Sequence, residues 1–275
     1  MFTSPDLAAR IDRAEGRLCA GIAQGVAIQA PDLGSKVFEI GGGVAVFAGK
    51  GSPTNKMIGV GYDGLPEAGA LDAVERFFAG HNAPLQAEVS TLADPAFHAS
   101  LVQRGYQPRG FENVLGHPLT GFESKSSDVI IERVPAENLA PWMDLIVTAF
   151  SAPDIGGVGG DTVPPSDELQ RWLALTMAVP GFELAQARIG REIVGGASLR
   201  LDHGIAQFAG AATLPAFRRR GVQAALLGWR LAYACEAGCE LAVVTTQPAS
   251  KSQQNVQNAG FHLLYARQLL VKSPG

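Results

Sequence analysis

The sequence predicts an α/β (α+β) protein of two similar halves, each a mixed, largely antiparallel sheet flanked by helices. Three observations predict it. Segments of helical spacing alternate along the chain with short apolar runs rich in β-formers. The 275 residues, 47% hydrophobic and 17% charged, exceed one small domain and suit two, each burying its own core. Laid over the middle at a shift of 155 positions, the end of the chain matches it without a gap. Gly260-Phe261 falls on Gly105-Tyr106, Thr246 on Thr91, Val244 on Val89, Leu226 on Leu71 and Leu270 on Leu115.

Taken in order, Asp6 to Ile28 reads as an amphipathic helix, with Leu7, Ile11, Leu18 and Ile22 near helical spacing. Strands VFEI and VAVFAG follow, joined by Gly41, Gly42 and Gly43 as a hairpin turn. Next come strand MIGVGY, helix LDAVERFFAG, strand LQAEVS, helix PAFHASLVQRG and a strand from Tyr106. Leu119 to Asp128 is polar, small and aperiodic, and reads as a linker between domains 1–120 and 121–275. The order then restarts with strand VIIERV, a helix from Glu137 to Phe150, the glycine- and proline-rich loop Ser151 to Pro165, and helix DELQRWLALTM. Strands FELAQARI, IVGGASLRL and IAQFAGAATL precede a helix after Gly221, strand LAVVTT, helix SKSQQNVQNAG and strand FHLLYARQLLVK.

A pI near 5.8 argues against a nucleic-acid partner, because neutralising phosphates needs a basic face. Asp6, Asp12 and Glu15 interrupt any signal-peptide core, and no apolar run reaches a membrane span, so the expected location is cytoplasmic with no membrane partner. Cys19, Cys235 and Cys239 have no metal-ligand spacing and read as reduced, buried thiols; no metal is expected. His203, in LDHG, reads as a turn residue. GKGSPTNK lacks the Gly-Lys-Ser/Thr ending of a phosphate loop and reads as a strand-to-strand loop.

Against this acidic background Arg218, Arg219 and Arg220 stand directly before Gly221 and a helix. Cations there oppose the helix dipole by about 0.3–1 kcal/mol each, a conflict that an anionic ligand resolves. Free first-turn N–H groups, forked guanidinium donors and a residue without Cβ suit a phosphate. The run Arg218-Arg219-Arg220-Gly221-Val222-Gln223 resembles the pyrophosphate loop Gln/Arg-x-x-Gly-x-Gly/Ala of the GNAT superfamily of acyl-CoA-dependent N-acyltransferases. The resemblance extends in element order from about Val129 to Lys272, and departs at Gln223, where the family has a small residue.

The resemblance implies two tandem GNAT-like domains, acetyl-CoA as acyl donor, and an amine of a small molecule or peptide as acceptor, in a monomer or homodimer. It implies that Thr213 and Leu214 border the pantetheine arm, with the Leu214 N–H polarising the thioester carbonyl, and that Asn255 contacts the cofactor. Tyr265 falls where many members carry a tyrosine that protonates the leaving thiolate. Strand IAQFAGAAT carries no Asp or Glu where many relatives place the general base. Either Asp154, Asp161, Asp167 or Glu168 acts through water, or the amine arrives neutral and the protein supplies proximity and polarisation. Ser151 to Pro165 is expected to border the acceptor pocket as a lid. In the first half, Asp63 and Pro66 replace the loop residues, Ser100 replaces Asn255 and Gly110 replaces Tyr265, so that copy is expected to lack the cofactor site. A non-catalytic acyl-CoA-binding regulator is the alternative from another class.

Overall fold

The computed structural model describes residues 2–122, 127–152 and 165–274. In chain order the elements are α1 (Pro5–Gln29), β1 (Lys36–Ile40), β2 (Gly43–Phe47), β3 (Lys56–Ile58), α2 (Ala68–Gly80), β4 (Leu85–Ser90), α3 (Pro95–Gln103) and β5 (Gln107–Pro118). They continue with β6 (Ile130–Arg133), α4 (Leu139–Phe150), α5 (Ser166–Met177), β7 (Phe182–Ile189), β8 (Glu192–Asp202), β9 (Ile205–Thr213), α6 (Val222–Glu236), β10 (Leu241–Thr246), α7 (Lys251–Asn258) and β11 (His262–Lys272). The chain divides into two compact units, Met1–Val114 with Leu263–Gly275, and Leu115–His262. This differs from the expected division in one respect that matters: the last strand joins the first unit. The cause is hydrogen bonding, since β11 pairs antiparallel with β4 from Arg267–Ser90 to Lys272–Leu85.

In the first unit, Ser4 caps α1 by accepting from the Leu7 N–H at 3.2 Å, and Pro5 occupies the first turn, where its missing N–H costs nothing. Ala8, Ile11, Cys19, Ile22 and Val26 form its buried face. The β1–β2 hairpin turns on Gly41 and Gly42, at φ 53° and 75°, which a two-residue turn of the I′ kind requires; Gly43 already belongs to β2. β2 pairs antiparallel with β3, and β3 runs parallel to β4. Phe47, Leu71, Val74, Phe78, Leu85, Leu101 and Tyr106 are among the residues that fill the core of this unit.

A second layer of this unit is charged. Arg267 of β11, 0% exposed, donates to Asp12 at 2.6 and 3.0 Å, to Glu15 at 2.7 Å and to Glu88 at 3.2 Å. Lys56 adds bonds to Glu15 at 2.5 Å and Glu88 at 3.0 Å. Burial pushes the Glu15 carboxyl up, but Arg267 and Lys56 outweigh it and hold it at about 2. Glu112, 3.9 Å from Arg267, goes the other way: burial and the neighbouring Glu88 and Glu15 raise it to about 7. Burial lifts the Cys19 thiol to about 12, in keeping with an inert reduced thiol.

The second unit carries the antiparallel run β6–β7–β8–β9, with β10 parallel to β9. Gly195 and Gly196 of β8 explain how helices approach both of its faces. A Cβ on Gly195 would lie 2.9 Å from Val222 of α6, and one on Gly196 would lie 2.6 Å from the Trp142 indole nitrogen of α4. That indole donates to the Ala185 carbonyl at 2.9 Å, anchoring α4. The element bounds repeat with the sequence: β5 begins at Gln107 and β11 at His262, 155 positions later, and α2, β4 and α3 recur as α6, β10 and α7. Among the described residues no helix is long and apolar enough to cross a membrane.

Candidate functional site

The site grows from one irregularity in β9. Register against β8 slips between Ala197 and Ser198, so that Ala211 pairs with Ala197, Ala209 pairs with Ser198, and Gly210 is left over as a bulge at φ 32°. On its other edge β9 pairs with β10 only from Ile205–Leu241 to Gln207–Val243, although β9 runs on to Thr213 and β10 to Thr246. The two strands therefore part at their C-terminal ends, where open α/β sheets take ligands. Gly210 is exposed in mid-strand, and Ala209, Ala211 and Val244 are half-buried.

Two hydroxyls mark this gap. Thr213 Oγ1 and Thr246 Oγ1 are buried and have no hydrogen-bond partner, a costly state for a polar atom unless a ligand completes it. Just beyond, α6 opens at Gly221, which adopts φ 80° as the N-cap and gives no side-chain cap. No acidic residue stands in the first turn of α6, whose N–H groups have no partner within the helix. A Cβ on Gly221 would meet nothing within 4 Å, so the glycine is required by its left-handed backbone and not by crowding within the protein.

The expected residues divide into three groups. Arg219 and Arg220 are exposed beside this helix start, Arg220 lying 5.3 Å from the Phe217 ring, and Arg219 takes a positive φ of 62°. Gln223, the departure from the loop pattern, turns its amide away and donates to the Ala211 carbonyl at 3.2 Å, tying α6 to the bulged strand. Val222 is buried in the core at the same helix start. Asn255 is half-buried on α7, following the Ser250 cap.

Arg218 belongs to a second group, whose groups are already in use. Its guanidinium reaches the Thr213, Ala149 and Ala152 carbonyls, fastening the C-terminal end of α4 to β9. The Leu214 N–H, expected at the thioester, donates instead to the Val194 carbonyl of β8 at 2.9 Å. Because alternate residues of a strand present their N–H groups to opposite edges, the Thr213 N–H is the one that faces the gap.

Tyr265 is a correction. It lies on β11 in the first unit, 4% exposed, with its hydroxyl donating to Asp12 at 2.5 Å. Burial and the Asp12 charge hold its proton well above the ordinary tyrosine range. A phenol enclosed in that ion network is a structural donor, not a leaving-group acid.

Of the four acids weighed as base, Asp167 and Glu168 are exposed in the first turn of α5, while Asp154 and Asp161 lie outside the described residues, as does most of the expected lid. His203 sits in the β8–β9 turn at φ 46°. Among the described residues no three His, Cys, Asp or Glu groups are placed to hold a metal ion. Thr246 is not singled out by the sequence reading; its signal is a second threonine ending LAVVTT, closing β10 as Thr213 closes β9.

Residues 142–261 match the sequence model of the acetyltransferase (GNAT) family. A GCN5-related N-acetyltransferase from Kribbella flavida is 18% identical with a TM-score of 0.66, over 98% of this chain and 96% of that one. A tandem GNAT protein from the clavulanic acid biosynthesis pathway is 12% identical with a TM-score of 0.62, over 92% and 88%. A GCN5-related N-acetyltransferase from Sphaerobacter thermophilus is 16% identical with a TM-score of 0.56, over 74% and 67%. At these identities the likeness is one of fold. No curated protein matches the chain.

Proposed function

We propose, on the match of residues 142–261 to the acetyltransferase (GNAT) family model, that the chain is an acyl-CoA-dependent N-acyltransferase whose donor is acetyl-CoA. The observation that carries this reading is the parting of β9 and β10 beyond Gln207 and Val243, with two unpartnered buried hydroxyls at the strand ends. Acetyl-CoA supplies a thioester whose carbonyl carbon an amine can attack. The first-turn N–H groups of α6, with Arg219 and Arg220, hold its diphosphate. The free edge of β9 takes the pantetheine amides in place of the missing strand pairing, with Thr213 and Thr246 as hydroxyl partners and Asn255 on the far side. The Thr213 N–H, in place of that of Leu214, polarises the carbonyl oxygen as the neutral amine nitrogen bonds to the carbon and the carbon–sulfur bond breaks, the proton lost by nitrogen ending on the departing CoA thiolate. The acceptor is an amine of a small molecule or peptide, and the first unit is a tandem copy without a cofactor site.

Thiol release from acetyl-CoA across an amine panel tests the reaction, and CoA calorimetry tests the site. Gly221→Val forces a β-branched residue to φ 80° and pushes a side chain towards the diphosphate. It is expected to weaken acetyl-CoA binding about tenfold or more while the fold survives. Undiminished affinity would remove the loop from the site. A second reading, an acyl-CoA-binding regulator without chemistry, is favoured by one observation: β9 carries no acid and Tyr265 is enclosed, so neither position expected to supply the base and the acid offers a free group. CoA affinity without turnover on any amine would select it.

A further inference from the structure

The sheet face of the second unit that is turned away from α6 carries a polar group used by neither the fold nor the acyl donor. Gly196 faces Trp142 of α4, so Ser198 and Arg200, at alternate positions along β8, share that face. Gln207 of β9 pairs with Arg200 in register and lies on the same face, its Oε1 accepting from Arg200 Nη1 at 2.8 Å. Arg200 is itself fixed, since Nη2 donates to Asp202 at 2.9 Å and Nε to the Pro180 carbonyl at 3.3 Å. A guanidinium only donates, so the Gln207 amide is locked with its oxygen towards β8 and its NH2 turned away from that strand. Nε2 donates to none of the described residues and, unlike the Thr213 and Thr246 hydroxyls, is not sealed from the surface, although Gln207 as a whole is only 9% exposed.

The position of this donor matters. Gln207 makes the last pair of β9 with β10. Beyond it come the small residues Ala209, Gly210 and Ala211, half-buried or exposed, and a Cβ on Gly210 would still lie 3.8 Å from Ser198 Oγ and 4.0 Å from the Phe150 ring. The open edge of β9 between Gln207 and Thr213 is therefore a track with a fixed donor at one end; counting the bulge once, its five strand steps span about 17 Å.

We propose that the acceptor is an extended peptide that lies along this track, its free amine at Thr213 and a carbonyl oxygen about five residues further on accepting from Gln207 Nε2. The inference rests on the acetyl-CoA reading, which puts the reacting end at Thr213. Bonded to a cation through Oε1, the amide is polarised and its N–H groups become stronger donors. Held by Arg200, it has little rotamer freedom left to lose when a ligand binds. A compact amine seated at Thr213 is too short to reach it. Gln207 is thus a residue that selects acceptors by length.

The test offers the full chain alanine-rich peptide amides with free amino termini, one to seven residues long. Thiol release from acetyl-CoA gives kcat/KM, and calorimetry on the CoA-saturated protein gives affinity. Affinity should climb about tenfold between three and six residues, the worth of one well-placed hydrogen bond. Gln207→Glu keeps an acceptor for Arg200 but removes both donors, so the climb should vanish while the melting temperature stays at or above that of the native chain. Gln207→Met removes the donors without adding a charge and should flatten the profile in the same way. A flat length profile in the native chain, or the same climb in both variants, overturns the proposal. A climb in affinity with thiol released by none of the peptides would uphold the track and count against acetyl transfer alone.

Discussion

The same strand junction occurs in both units and is finished differently. In the second unit β9 and β10 separate, and buried hydroxyls are left without partners. In the first, β3 and β4 pair from Lys56–Gln86 to Ile58–Glu88, and the ends beyond are bridged: the Asp94 N–H donates to the Gly61 carbonyl at 2.7 Å, and Phe97 packs so closely on Gly61 that a Cβ there would lie 2.7 Å from its ring. One junction is bridged by the chain beyond it, and the other stays open past Gln207 and Val243. The buried arginines differ in parallel. Arg267 of the first unit is surrounded by carboxylates, while among the described residues Arg230 of the second, 5% exposed, meets the Leu226 and Ser198 carbonyls at 3.4 Å and the Phe208 ring at 4.6 Å. Burial alone lowers Arg230 to about 9. Together these differences teach that the first unit closes its strand junction and surrounds its buried arginine with carboxylates, whereas the second leaves the hydroxyls at its strand ends and its buried arginine without such partners.

Arg267→Met tests this contrast most severely. It strands Asp12, Glu15 and Glu88 without their main cation, and a loss of about 3–5 kcal/mol is expected in denaturant unfolding. A stability near that of the parent chain would show that the network is relaxed by water. Acidity should sharpen the contrast next. The folded chain keeps a proton on Glu112 up to about pH 7 that an unfolded glutamate releases near 4.5, so stability should decline as pH rises through that window, by at most about 1.4 kcal/mol per unit. Glu112→Gln should flatten the decline, and an unchanged pH profile would mean that Glu112 is already ionised. Tyr265→Phe removes one donor to Asp12 and should cost about 1.5–3 kcal/mol in stability while leaving kcat alone; a fall in kcat without a fall in melting temperature would restore the tyrosine to the chemistry. The smallest effect belongs to Arg230→Met, which exchanges a buried cation without a carboxylate partner for an apolar chain and should be neutral or stabilising by about 1 kcal/mol, the low end for such replacements, in denaturant unfolding. A marked loss there would reveal an acidic partner.

Much of this was legible in the sequence because it rests on local chemistry. Gly41-Gly42, Pro5 after Ser4 and the Gly221 helix start each announce an element by what the backbone needs. The repeat at 155 positions marked matching strands. What escaped depends on which atoms meet in space. Arg267 in LLYARQLL and Glu88 in LQAEVS look like polar interruptions of apolar strands, and only the pairing of β4 with β11 turns them into partners. Tyr265 was misread for the same reason: position within a motif says nothing about which unit the strand joins. Leu214 failed by a single residue of strand alternation, and Arg218 because carbonyls at the end of α4 claim its guanidinium before any ligand does.

The pairing of β11 with β4 also sets a timetable for synthesis. The first unit lacks the strand that bears Arg267 until residues 115–262 have been translated, an interval on the order of ten seconds at ribosomal speed. Until then β4 presents an open edge and Asp12 of α1 lacks its buried arginine, so the charged layer of the first unit closes only after the whole second unit has been made.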